Sequence, residues 1–88
     1  MGYGQVKVIN QTPYSATGAI NYLSCNSDTY SCGANATGTG SSDRGVCLVT
    51  SISATVNGVE ATPYNSSGTS FSSFFIQSDG SGGYKVTS

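Results

Sequence analysis

The chain has 88 residues and a formal net charge of −1, from Lys7, Arg44 and Lys85 against Asp28, Asp43, Glu60 and Asp79. Three cations can build neither a phosphate-binding stripe nor a polybasic anchor, so nucleic acid and anionic membrane surfaces are not expected as partners. No apolar run approaches the ~18 residues of a membrane-spanning helix, so membrane insertion is not expected, and the length makes one domain, residues 1–88.

A domain this short buries only about 60% of the surface its unfolded chain exposes, so it needs a staple or a partner. Ser, Thr, Asn and Gly carry the surface in place of charge. Such surfaces are rich in hydroxyls and amides, as paratopes and glycan-facing surfaces are. Residues 1–4 lead straight into a strand with no signal-peptide pattern. An extracellular or secreted location is nevertheless favoured.

Residues 5–10 read as a first strand with Val6 and Val8 inward. A turn follows at 10–14, because Pro13 cannot donate to a central ladder. Residues 17–23 read as a second strand with Ile20 and Tyr22 on one face. Residues 24–42 are loop-rich, with a short strand near Thr29-Tyr30-Ser31 and a low-complexity, mobile stretch at 33–42.

The strongest signal lies at 46–56. Val46, Leu48, Thr50, Ile52, Ala54 and Val56 alternate with Cys47, Val49, Ser51, Ser53 and Thr55, which predicts one long strand with one dry face. Asn57-Gly58 tolerates the positive φ of a type I′ turn, pairing Val56 with Val59 and Ala54 with Ala61 on the apolar face. Residues 62–68 read as another turn, and 12–18 echo them, each presenting a tyrosine after Thr-Pro. Residues 71–77 form an aromatic strand with Phe74 and Ile76 inward, and a Gly-rich hairpin leads into a last strand at 84–87. No window has helical spacing. Short strands between Gly-rich turns predict an all-β fold, a small antiparallel β-sandwich or small barrel, stapled by a disulfide.

Catalysis has little support. His is absent, the four carboxylates are scattered beside turn residues, and no base stands ready for a Cys nucleophile. Asp28 and Asp43 could in principle form a glycosidase pair, but so small a β domain is a poor host for a deep cleft. The protein is therefore expected not to be an enzyme and to use no cofactor. Without His, and with Cys25, Cys32 and Cys47 lacking paired close spacing, a zinc site is not expected.

A second constellation suits a sugar: Asp28 and Tyr30, Asp43-Arg44, and Tyr64-Asn65. A pyranose needs a flat apolar platform and a few fixed polar groups. Tyr30 and Tyr64 offer platforms, Asp28 and Asp43 accept hydroxyl protons, and Arg44 and Asn65 add donors. The competing readings are a strand-entry ion pair for Asp43-Arg44 and a half-buried core wall for Tyr30 and Tyr64.

Three cysteines leave one unpaired. A Cys25–Cys47 bridge would join two sheet elements and contribute roughly 3 kcal/mol in the loop-entropy model. A Cys25–Cys32 bridge would close a small loop and staple less. The first is favoured, which leaves Cys32 in a flexible loop as a possible intermolecular thiol. The triplets at Asn10, Asn35 and Asn65 fit N-glycosylation sequons, and matter only for a chain that passes through a secretory pathway.

Residues 6–12, 17–22, 24–28, 44–48 and 63–72 together resemble a family of small α-galactosyl-binding lectins of fungi and plants, the Lyophyllum decastes lectin type. The resemblance covers nearly the whole chain and implies binding of terminal α-galactose, possible homodimers, and Cys25 and Cys47 as partners. Cys32 and the Gly/Ser-rich stretch after it depart from the pattern. The leading expectation is a non-enzymatic carbohydrate-binding protein with glycan partners, acting as a homo-oligomer. The alternative is a structural subunit of an extracellular assembly or filament, built through β edges and a Cys32 intermolecular disulfide.

Overall fold

The computed structural model describes residues 5–40 and 47–88. No helix occurs among them, and none is therefore long and apolar enough to cross a membrane. The strands, in chain order, are β1 (Lys7–Asn10), β2 (Ala16–Tyr22), β3 (Cys25–Cys32), β4 (Thr37–Thr39) and β5 (Val49–Ile52). They continue with β6 (Thr55–Val56), β7 (Val59–Glu60), β8 (Tyr64–Thr69), β9 (Ser73–Ser78) and β10 (Tyr84–Thr87).

They form a sandwich. One sheet has the order β10-β9-β1-β4, and the other β7-β6-β2-β5-β8, with β3 on the free edge of β2. Alternating apolar residues of both sheets meet in one core, led by Val8, Phe74 and Ile76 from the first and Ile20, Ile52 and Val56 from the second. Most pairs are antiparallel, but β1 and β9 run parallel, because the chain enters β9 only after crossing over from β8 in the other sheet. The sheets are joined at two flanks. Thr62 donates to the Tyr84 carbonyl and accepts from the Val86 amide, both at 2.9 Å. On the other flank Gly38 packs on the Ser31 carbonyl.

The Cys25–Cys47 disulfide forms, closing a separation of 22 residues. Cys32 corrects its expectation: it ends β3 and is buried, so its sulfur is not displayed on a flexible loop for an intermolecular bridge. Burial arises because Cys32 pairs with Ala16, whose side chain faces the core.

The long strand differs from its expected form. A register shift where Tyr22 meets Val49 inserts a bulge, so Val49 turns inward and Leu48 does not. The strand then breaks at Ser53-Ala54 into β5 and β6, which pair with successive parts of β2. The Asn57-Gly58 hairpin has the expected register, Val56 opposite Val59, with φ of 51° and 78° at its tip. Val59, however, is 44% exposed, because among the described residues β7 is an edge strand paired only with β6.

Two expected loops are strands. Thr37–Thr39 pair with β1, and Tyr64–Thr69 pair with β5. In β8 the turn-prone residues are used by the neighbour: Ser66 donates its hydroxyl to the Val49 carbonyl at 2.7 Å. The echo between 12–18 and 62–68 is local only. Tyr14 is exposed on a loop, whereas Tyr64 opens a strand and packs against the core.

Candidate functional site

The break at Ser53 is built by its neighbours. Tyr30 on β3 donates its hydroxyl to the Ser53 carbonyl at 2.6 Å. That carbonyl has left the ladder for the space beside Gly18, where any Cβ would overlap it and would lie 2.6 Å from the Tyr30 hydroxyl oxygen. The Ser53 side chain takes over the vacated role, and its Oγ accepts the Ala19 amide at 3.1 Å. Burial, with the nearby Cys32 as a smaller cause, pushes the Tyr30 phenol above its ordinary pKa, so it remains a protonated donor.

The hairpin then folds back beside the break. Thr55 stands opposite Glu60, and the Ala61 amide donates to the Ala54 carbonyl at 2.9 Å. Thr62 is tied to β10, which fixes where Pro63 lies. Ser53, Ala54, Thr55, Glu60, Ala61 and Pro63 line an open cleft of about 250 Å³. Its wall carries one exposed carboxylate, two hydroxyls and an apolar ring. The Ser53 Oγ already accepts from Ala19, so its own proton is free to donate.

Among the described residues, those expected to form the sugar site do not come together. Asp28, Ile20, Ile52 and Tyr64 occupy one row across β3, β2, β5 and β8. Asp28 and Tyr64 are thus three strand spacings apart, about 14 Å. Tyr30 is 5% exposed and offers no platform, and Tyr64 is a core wall whose ring centroid lies 5.0 Å from that of Phe74. The Asp28 carboxylate accepts the Thr29 amide at 2.8 Å and lies beside Gly40. Asn65 is exposed on the reverse face from Tyr64, opposite Ser51. Asp43 and Arg44 lie outside the described residues. No local signal in the sequence marks Ser53 or Pro63, whereas the Asn57-Gly58 register places Glu60 opposite Thr55.

Among the sequons, Asn10 is unavailable. It is 1% exposed, its amide donates to the Tyr14 and Gly33 carbonyls at 2.6 and 3.0 Å, and its Oδ1 accepts from Thr12. Asn35, at φ 53°, and Asn65 are exposed. No group of three His, Cys, Asp or Glu residues suited to a metal occurs among the described residues. In comparisons with known proteins, no family model, no curated protein and no solved structure matches the chain.

Proposed function

We propose that the protein is a non-enzymatic carbohydrate-binding domain whose site is the cleft between the Ser53 break and the Glu60 arm. One observation carries this: an exposed carboxylate, two hydroxyls and a prolyl ring converge on a shallow concavity in an otherwise sparsely charged molecule. The Glu60 carboxylate accepts from two adjacent sugar hydroxyls. Ser53 and Thr55 add donors, and the exposed Pro63 ring covers a C–H face. Glu60 is the sole charge among these lining residues, so neutral sugars fit and anionic ones are repelled. A preference for terminal α-galactose is what the sequence resemblance implies. A site this open binds weakly, so useful avidity requires several copies, and the proposal includes a homo-oligomer.

The test is a neutral-glycan array followed by amide chemical-shift mapping with galactosides. Shifts should concentrate at Ser53, Thr55 and Glu60, and Glu60→Gln should abolish them with an unchanged melting temperature. No binding on the array and no shifts with galactosides would refute the proposal.

A further inference from the structure

We infer that the cleft holds only the end of its ligand, and that a neutral oligosaccharide continues from it along a lane formed by Thr55, Thr17 and Ser31. This rests on the carbohydrate-binding reading above and extends it from one sugar ring to a chain.

The lane follows from the strand register. Glu60 is opposite Thr55, Thr55 opposite Thr17, and Thr17 opposite Ser31, so one row crosses β7, β6, β2 and β3. The adjacent row holds Val56, Ala16 and Cys32, all buried in the core. Side chains alternate between the faces of a sheet, so Thr55, Thr17 and Ser31 point outward. Thr17 and Ser31 are exposed and Thr55 is half-buried. From Glu60 to Ser31 the row spans three strand spacings, about 14 Å, the reach of a short oligosaccharide.

The hydroxyls of this row are also uncommitted: among the described residues, none of the three side chains enters a hydrogen bond. The Asn21 row contrasts with this. There Ser27 donates to Asn21 at 2.6 Å and Asn21 donates to Ser51 at 2.8 Å, so those groups are already satisfied by one another. Between the two rows lies Ala19, whose small side chain leaves room beside Thr17. Each free hydroxyl can donate once and accept twice, which suits sugar hydroxyls in variable orientation.

The test compares methyl α-galactoside with α-galactosyl-terminated di- and trisaccharides, by calorimetry and amide shift mapping on the full chain. The trisaccharide should bind about tenfold more tightly than the monosaccharide, the effect of one or two net hydrogen bonds. The Thr17 and Ser31 amides should shift only with the longer ligands. Thr17→Val keeps a β-branched residue in the strand and removes only the hydroxyl. It should cancel most of the tenfold gain while leaving the monosaccharide affinity unchanged, and Ser31→Ala should act in the same direction. Equal affinities for all three ligands, or a Thr17→Val loss shared equally by the monosaccharide, would overturn the lane while leaving the cleft as the site. No binding by any of the three, together with no binding on the neutral-glycan array, would overturn both.

Discussion

Removing one oxygen, in Tyr30→Phe, should loosen the strand break without touching the core volume. The ring stays in place, but the Ser53 carbonyl loses the donor it meets at 2.6 Å. An acceptor left without a partner in a largely enclosed position costs about 1–3 kcal/mol. In a domain of this length each kcal/mol corresponds to about 4–8 °C, so the melting temperature should fall on the order of 10 °C. The variant should also move the Ala19 amide resonance, because Ser53 Oγ is its acceptor and Ser53 is no longer held. A pH series adds a second readout. The phenol is raised above its ordinary value in the fold, so its contribution is complete below about pH 10 and is lost as pH climbs from there. The Cys32 thiol, also pushed up by burial, titrates in the same sense and leaves part of the alkaline slope in the variant. Thermal melts followed by circular dichroism, from pH 7 to pH 11 on oxidised protein, should show Tyr30→Phe less stable at pH 7 and flatter above pH 10. Identical melts and an unmoved Ala19 amide would refute the account of how the break is held.

Reducing the Cys25–Cys47 bridge releases a loop spanning 22 residues and should lower the unfolding free energy by about 3 kcal/mol in urea titrations. Asn10→Ala strips the donor from the Tyr14 and Gly33 carbonyls and an acceptor from Thr12. It should cost about 3 kcal/mol by the same urea assay, whereas loss of a surface amide would be nearly neutral. Cys32 is buried with its thiol pushed up, so dithionitrobenzoate should label it only at the rate of unfolding. Immediate labelling of native protein would place that sulfur at the surface.

Much of the sandwich was legible from local chemistry. Period-two spacing points Val6, Val8, Phe74 and Ile76 inward, and all four are fully buried. The Asn57-Gly58 turn specified its own register, because few residue pairs accept positive φ twice in succession. The β8 strand was not legible: its Asn, Ser, Ser and Gly prefer turns, and only the β5 edge makes them extended. The bulge at Val49 was hidden too, since the run at 46–56 looks regular on paper and its register shifts only in its pairing with β2 and β8.

The candidate site shows the same division. Residue types alone suggested tyrosine platforms, yet Tyr30 and Tyr64 carry enough apolar surface to be drawn into the core of so small a domain. Alternation and turn geometry act over a few residues, and they suffice for the all-β class, the inward faces of β1 and β9, and the tight hairpin. The strand break, the turning of the Ser53 carbonyl toward Tyr30 and the cleft beside Glu60 arise from packing between distant segments. Each of those depends on groups far apart in the chain. Tyr30 and Ser53 are separated by 23 positions, and no local preference encodes which carbonyl a buried phenol will reach.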